Sequence, residues 1–230
     1  MDRRTLLARV SIFASLGERE LDALLQVTAT RRIAARELLC RAGDPGNQLY
    51  GVLSGRLKVF AGGGDGKEFV FGVMGPGDVI GEIALVDSGP RSATVVALER
   101  SELLTLHRRE LVPFLERHPR VAIELAAVLA RHVRRLSSYA ADAHFLPLPA
   151  RMAKTLLALA ASYEKETAAG APIDVPLAQQ DLADMVGTTR ESVNKQLRSW
   201  EDESIVRLAR ARVVVVDRGA LEAIAGLTTL

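Results

Sequence analysis

The feature that most constrains the fold is an abrupt change in sequence texture near residue 108. From about residue 30 to 107, glycines recur between short runs rich in β-forming residues, namely LYGVLSG, RLKVFAG, EFVFGVM and SATVVALE. Many short strands joined by tight turns predict a sandwich or barrel-like β-domain. Ahead of it, SLGERELDALLQVT has apolar residues at helical spacing, which predicts a short helix beginning near Ser15 or Gly17.

A long helix is predicted after the β-rich part. HPRVAIELAAVLARHVRRLSSYAADA has no glycine, and its proline, Pro119, suits the first turn of a helix. The spacing of its apolar residues indicates a coiled-coil seam between two chains, or alternatively a helix packed on its own domain. His132 lies in this pattern, and we interpret it as a packed or partly solvated histidine rather than a metal ligand. The predicted seam consists of Leu125, Leu129, His132, Leu136, Tyr139 and Ala143.

Two prolines, Pro147 and Pro149 in FLPLPAR, interrupt the helical pattern and mark a domain boundary. Beyond them, ARMAKTLLALAASYEKE is helical, and VPLAQQDLADMVGTTRESVNKQLRSWEDE predicts two helices joined by a turn at Gly187. SIVRLARARVVVVD predicts two strands, and a short helix follows them. The predicted domains are 1–108, 109–146 and 147–230.

Composition and motif searches exclude several classes of protein. No apolar run approaches the roughly 20 residues of a membrane span, and no secretory signal is evident, so we expect a cytoplasmic protein. The single Cys40 has no internal disulfide partner, and we expect it to be a buried strand residue. AGGGDGKEF lacks the spacing of a phosphate-binding loop and is interpreted as a hairpin turn. No catalytic constellation or metal-binding motif is evident, so we expect neither an enzyme nor a metal.

The second helix of the predicted pair has the division of faces that DNA reading requires, although an ordinary helical hairpin with a solvated face would look similar. Val193, Leu197 and Trp200 form one face and are expected to be buried. Arginine, glutamate and lysine on the other face suit base edges and phosphates, and short hydroxyl side chains suit phosphates. Arg207, Arg210 and Arg212 on the two strands would lie near phosphates. The candidate DNA-binding residues are Thr189, Arg190, Glu191, Ser192, Asn194, Lys195 and Arg210.

A second motif, GEIALVDSGPRSATV at residues 81–95, places Glu82 and Arg91 around an apolar segment although both are costly to bury. This motif resembles the phosphate-binding cassette of cyclic-nucleotide-binding domains. TTRESVNKQLRSWEDE in turn resembles the recognition helix of the bacterial cyclic-AMP receptor and fumarate–nitrate regulator family. The resemblance covers nearly the whole chain. It implies an α+β protein with an N-terminal, jelly-roll-like β-roll, a long dimerisation helix and a C-terminal winged helix-turn-helix.

The resemblance also implies a ligand, most readily cyclic AMP, with cyclic GMP as an alternative. Arg91 would grip the cyclic phosphate, Glu82 would accept the ribose 2′-hydroxyl, and hydroxyl residues of the long helix would contact the base. The alternative is that Glu82 and Arg91 merely pair with each other. The candidate ligand-binding residues are Gly81, Glu82, Ile83, Ala84, Arg91, Ser92, Ser137 and Ser138.

The function implied by the resemblance is that of a homodimeric transcription regulator. Such a regulator would bind an inverted-repeat operator in double-stranded DNA and would contact RNA polymerase. One alternative is a cyclic-nucleotide-binding regulatory subunit of an enzyme. Another is a regulator of the same family that senses haem through His107 or another histidine, the redox state or another nucleotide. The N-terminal cysteine cluster of the oxygen-sensing branch is absent.

Overall fold

The computed structural model describes residues 3–63, 68–164, 173–175, 178–209 and 212–226. The chain divides into two compact units. The first comprises residues 1–62 and 71–135, and the second comprises residues 63–70 and 136–230.

Two four-stranded sheets form the β-domain. Its strands are β1 (Thr28–Ile33), β2 (Leu38–Cys40), β3 (Gln48–Ser54), β4 (Leu57–Gly62), β5 (Glu68–Met74), β6 (Val79–Ile80), β7 (Thr94–Ala97) and β8 (Ser101–His107). One sheet has the order β1-β8-β3-β6 and the other β2-β7-β4-β5. The runs predicted as strands correspond to β3, β4, β5 and β7. The predicted β-domain is therefore confirmed.

The alternation of side chains along β3 explains how one sheet has two apolar faces. Tyr50 and Val52 belong to a core formed by residues of both sheets. Leu49 and Leu53 point the other way, because successive side chains of a strand lie on opposite faces. They join a second core that includes helical residues. Cys40 is buried at the end of β2, as predicted, and this burial raises the pKa of its thiol.

Helices flank this β-domain. They are α1 (Arg3–Ala8), a 3₁₀ turn (Ser11–Phe13), α2 (Glu18–Val27), α3 (Glu82–Asp87), α4 (Arg108–Arg117) and the long α5 (Pro119–Phe145). The predicted short helix is α2. Gly17 is its N-cap residue, and the backbone N–H of Gly17 donates to Glu20 Oε2 at 2.8 Å. Helix α5 begins at Pro119, as the sequence predicts.

The predicted seam of α5 needs correction at three of its six positions. Leu125 is buried in the core that contains Phe114. His132 Nδ1 lies 3.0 Å from Glu82 Oε1, and the ring centroid of Tyr139 lies 4.6 Å from that of Phe69. These three side chains therefore make contacts within their own chain. The physical reason is that α5 has apolar residues on more than one side. Some residues of the predicted heptad pattern therefore lie on the side of α5 that packs against its own chain.

A second heptad pattern on α5 is largely exposed. Its residues recur at spacings of three and four, and the two largest exposed ones are Val133 at 63% and Leu136 at 47% exposure. The exposed seam, as we call it below, consists of Ala126, Leu129, Val133, Leu136, Ala140 and Ala143, of which Leu129 is half-buried.

The second unit has the topology of a winged helix-turn-helix. After the C-terminal part of α5 its elements are α6 (Leu148–Glu164), β9 (Ile173–Val175), α7 (Gln179–Val186), α8 (Arg190–Asp202), β10 (Val206–Ala209), β11 (Arg212–Val215) and α9 (Arg218–Ile224). Strands β10 and β11 are antiparallel, and β9 pairs with the other side of β11. The two predicted helices and the two predicted strands are confirmed, whereas β9 was not predicted. The chain is thus an α+β protein. None of the helices in the described part of the chain has the length and apolarity that crossing a membrane requires.

Candidate functional site

Arg91 is the first charged residue of the candidate pocket, and the backbone around it is held on both sides. Its backbone N–H donates to Asp44 O at 2.8 Å, and the backbone N–H of Gly43 donates to Arg91 O at 2.9 Å. Its side chain is only 6% exposed. The guanidinium donates through Nη2 to Gln48 O at 2.7 Å and through Nη1 to Gly81 O at 3.4 Å. It also lies over the Tyr50 ring, with Cζ 5.2 Å from the ring centroid.

The guanidinium of Arg91 is not saturated by these contacts. Its Nε is buried and has no hydrogen-bond partner among the residues that the structure describes. A guanidinium has five N–H donors and no acceptor, and a buried donor without a partner is costly. The carbonyls of Gln48 and Gly81 therefore hold the Arg91 guanidinium, and its remaining N–H donor suits an anion.

Glu82 is the second charged residue, and it begins the short helix α3. The residue is 4% exposed, and its Oε1 accepts a hydrogen bond from His132 Nδ1 at 3.0 Å. Among the described residues, Glu82 thus pairs with the long helix and Arg91 with backbone carbonyls. The alternative that these two residues merely pair with each other is not what the structure shows.

Two close approaches shape the space around α3. Gly81 precedes the helix with φ at +88°, and a Cβ there would overlap Arg91 Nη1. Gly46 lies against α3, because a Cβ at that position would overlap Ala84 Cβ. At the other end of the helix, Arg108 donates to Leu85 O at 3.0 Å and to Ser88 Oγ at 2.7 Å. The backbone geometry of the cassette is therefore fixed at both ends of α3.

The remaining ligand candidates have different surroundings. Ala84 is buried, Ile83 is 38% exposed and Ser92 is exposed. Ser137 and Ser138 are exposed on α5. Contact of these two serines with a base stays a prediction.

The donor set fits a cyclic nucleotide. Arg91 offers positive charge and a buried free donor for a phosphodiester, and Glu82 offers an oriented acceptor for a hydroxyl. Among the described residues, no cluster of three or more His, Cys, Asp or Glu side chains is placed to hold a metal ion.

The candidate DNA-reading helix is α8, and its start is well defined. Gly187 ends α7 with φ at +70°, and Thr189 caps α8 by accepting a hydrogen bond from the Ser192 backbone N–H at 3.2 Å. Val193, Leu197 and Trp200 are buried, as predicted. The cap and the buried face together fix which residues α8 presents to solvent.

The predicted DNA-binding residues of α8 are not equally accessible. Arg190, Glu191 and Lys195 are exposed. Hydrogen bonds from its own backbone N–H and from Thr189 lower the pKa of Glu191, which favours the ionised acceptor form. Asn194, in contrast, donates to Gln179 Oε1 at 3.0 Å and accepts from Arg198 Nε at 2.8 Å. Its amide is already engaged within the unit.

The strands β10 and β11 form the predicted wing beside α8. Arg190 and Asn194 line a cleft together with Leu208 and Arg212 of these strands. Arg207 on β10 is exposed. Arg210, which the sequence also singled out, lies outside the described residues.

Sequence reasoning missed several groups around Arg91 and Glu82. Gln48 contributes a backbone carbonyl, which any residue could supply, so no sequence signal identifies it. Tyr50 belongs to a predicted strand, and no sequence signal links it to Arg91. His132 follows the predicted heptad pattern of α5, and no signal in the sequence separates it from the exposed apolar residues.

Family models match both parts of the chain. Residues 30–118 match the model of the cyclic nucleotide-binding domain, and residues 150–224 match the Crp-like helix-turn-helix domain. These two domains in this order define a DNA-binding transcription regulator.

Full-length relatives show the same family. The chain is 34% identical over 214 residues to the cyclic AMP receptor protein of Thermus thermophilus, covering 93% of this chain and 96% of that protein. It is 30% identical over 212 residues to the CRP-like cAMP-activated global transcriptional regulator of Mycobacterium tuberculosis, covering 92% and 95%. The chain belongs to the cyclic-AMP receptor and fumarate–nitrate regulator (CRP/FNR) family of transcription regulators, and it is not an enzyme.

Solved structures agree with this fold. The catabolite activator protein of Thermus thermophilus aligns with a TM-score of 0.54 at 34% identity, covering 95% of this chain and 100% of that one. The c-di-GMP-responsive regulator CLP of Xanthomonas campestris aligns with a TM-score of 0.74 at 23% identity, covering 86% and 99%. The latter likeness concerns the fold alone.

Proposed function

We propose that the protein is a cyclic-AMP-responsive regulator that binds an inverted-repeat operator as a homodimer in the cytoplasm. The observation that carries the ligand is the buried Arg91 with a free Nε donor. The names of the Thermus and Mycobacterium relatives, which refer to cyclic AMP, support the same choice. The functional parts are taken as 1–108 for the ligand, 109–146 for dimerisation and 147–230 for DNA.

In the proposed pocket, Arg91 binds the cyclic phosphate and Glu82 accepts the ribose 2′-hydroxyl. The backbone N–H groups near Ile83 and Ala84 face the phosphate oxygens, and Ser92 adds a hydroxyl. Ser137 and Ser138 contact the base. Ligand binding then biases how the two DNA-binding domains are held, a coupling that is typically worth about 1–3 kcal/mol.

The test of the pocket is calorimetry with cyclic AMP and cyclic GMP. Arg91→Ala removes the charge and several donors, whereas Ser92→Ala removes one exposed hydroxyl. Since a charge-assisted hydrogen bond is worth about 1.5–3 kcal/mol, we expect Arg91→Ala to weaken cyclic AMP binding at least tenfold and Ser92→Ala far less. Equal affinity of wild type and Arg91→Ala would show that the pocket is wrongly assigned.

The proposed partner on the exposed seam is a second copy of this chain. The six seam residues repeat at coiled-coil spacing over about three heptads, and a parallel helix pair would remove Val133 and Leu136 from water. In such a dimer each α8 enters a major groove, with RNA polymerase as a further partner at the promoter.

The test of DNA binding is a gel shift with and without cyclic AMP on a random pool of duplexes, followed by sequencing of the bound fraction. We expect the ligand to increase binding and the enriched sequences to be inverted repeats. A ligand-binding protein that shifts no DNA under either condition would instead fit the regulatory subunit of an enzyme.

A further inference from the structure

The hydrogen bond between His132 and Glu82 joins two elements far apart in sequence. His132 lies in the middle of α5 and is 23% exposed in its side chain, whereas the Glu82 side chain is 5% exposed. Their atoms Nδ1 and Oε1 are 3.0 Å apart. An ionised carboxylate only accepts, so in a hydrogen bond to that form the ring nitrogen Nδ1 is the donor.

This bond leaves part of the carboxylate available. A carboxylate has two oxygens with about four acceptor sites, and His132 uses Oε1. Oε2 can accept from another donor, and the contact of Oε1 with the imidazole restrains the position of the carboxylate. A ligand hydroxyl that donates to Oε2 would therefore meet an acceptor whose orientation depends on α5.

The position of α3 itself has an anchor other than His132. Arg108 binds Leu85 O and Ser88 Oγ at the C-terminal end of the helix. The backbone of the cassette is also tied down at Arg91, through its bonds to Gly43 and Asp44. Removal of the imidazole should thus free the Glu82 side chain while the helix that carries it stays in place.

Two other charged residues belong to the cassette and to α5. Arg91 lies next to Gly81, the residue before Glu82. Arg135, one turn beyond His132 on α5, approaches Gly72 of β5. Among the described residues neither cation forms an ion pair with Glu82, and His132 contacts one of its two oxygens.

We propose that His132 is a positioning residue that orients Glu82 toward the ribose 2′-hydroxyl and so makes the long helix part of ribose recognition. The inference rests on the proposed cyclic nucleotide ligand and deepens it. It assigns a role in nucleotide selection to a residue of the dimerisation helix.

The experiment compares the affinities of the full-length protein for cyclic AMP and 2′-deoxy cyclic AMP by calorimetry. Glu82→Gln tests the acceptor, and His132→Ala removes the donor. His132→Asn is the conservative variant, because its amide nitrogen can occupy the place of Nδ1, and His132→Gln is its control with the amide one methylene farther out.

We expect wild type to prefer the ribose form by about tenfold or more, the worth of one charge-assisted hydrogen bond. His132→Ala and His132→Gln should reduce that preference at least threefold, Glu82→Gln should abolish it, and His132→Asn should restore it. Because binding of the deoxy analogue should change little in the His132 variants, a general loss of folding cannot mimic the result.

Three outcomes would overturn the inference. If Glu82→Gln loses the preference but His132→Ala keeps it in full, His132 does not position the carboxylate and the proposed function stands. If wild type binds both nucleotides equally, Glu82 does not read the 2′-hydroxyl, so this inference and the role proposed for Glu82 in the pocket both fall, whereas the proposed regulator that responds to cyclic AMP stands. If wild type binds neither nucleotide, the proposed function fails as well.

A spectroscopic measurement on wild type tests the proposal without a comparison of the affinities of variants. The chain has four histidines, so imidazole ¹⁵N spectra are simple, and the signal missing in His132→Asn identifies His132. We expect cyclic AMP to shift this signal more than the deoxy analogue does. Equal shifts with the two ligands would contradict the proposal.

Discussion

At the scale of single residues, the proposed pocket depends on how backbone carbonyls hold a charged side chain. Gln48 O and Gly81 O take two donors of Arg91 and fix the plane of its guanidinium. Nε has no hydrogen-bond partner among the described residues, and an anion would supply one. An arginine oriented before the ligand arrives loses less side-chain entropy on binding, which favours affinity.

Gly81 offers a sharp test of that arrangement. Gly81→Ala should weaken cyclic AMP binding about tenfold or more, because the new Cβ would displace Arg91 Nη1. Gly43→Ala is the matched control, since Gly43 has nearly the same φ of +89° but nothing within 4 Å of a Cβ. Both variants should lose about 1–3 kcal/mol of stability from left-handed backbone strain, measured by urea unfolding. Equal losses of affinity would mean that strain and not displacement of Arg91 is responsible.

Two charged residues of the candidate pocket could be predicted from the sequence, but the contact with His132 could not. Glu82 and Arg91 stand out because both are charged within a short apolar stretch. His132 does not stand out, because it is fifty positions away and its neighbours on α5 also follow a heptad pattern. Nothing in the sequence says which of two overlapping apolar faces of a helix meets its own domain.

At the scale of elements, short-range sequence signals determine which face helix α8 exposes. Thr189 caps the helix, and Val193, Leu197 and Trp200 bury one face. The face of α8 that carries Arg190, Glu191 and Lys195 is therefore the one exposed to solvent. The cap, the turn at Gly187 and the buried face were all predictable, because each is a short-range signal. Strand β9 was not, since its three residues pair with β11 only through tertiary contact.

The cap can be measured in isolation. Thr189→Ala should destabilise the DNA-binding unit by about 0.5–2 kcal/mol, because the Ser192 backbone N–H loses its partner. Thr189→Ser keeps a hydroxyl and should recover most of that loss. Urea unfolding followed by the fluorescence of Trp200, the only tryptophan, reports on this unit. A full loss in the serine variant would argue against capping.

At the scale of the whole molecule, the proposed dimer would present two α8 helices to DNA, one from each chain. The exposed seam is the surface on which this step depends. Replacing Leu129 and Leu136 together by Lys should convert the dimer into monomer, as measured by light scattering, because two buried charges per chain would oppose association. Ala141→Lys adds an exposed charge on α5 away from the seam and should leave the dimer intact. An unchanged dimer in the double variant would rule out this seam.

A symmetric dimer also predicts how DNA is read. Two α8 helices related by a twofold axis meet successive major grooves, so half-site centres should lie about one helical turn apart, roughly 34–36 Å. Sequence preference should then come from α8 and general affinity from the wing.

Arg190 and Arg207 separate these two contributions. Arg190 is exposed at the start of α8, where an arginine can bind a guanine edge through two hydrogen bonds. Arg190→Ala should cost roughly 1–3 kcal/mol on the enriched operator and relax the preference at one position of each half-site.

Arg207 is exposed on the wing strand β10, where phosphate is the expected partner. Arg207→Ala should weaken binding to matched and scrambled duplexes alike and reduce the salt slope by about one unit per half-site. Titrations of both variants across salt concentrations distinguish the roles. If Arg190→Ala loses affinity equally for matched and scrambled DNA, it contacts phosphate, and α8 reads the operator through other residues.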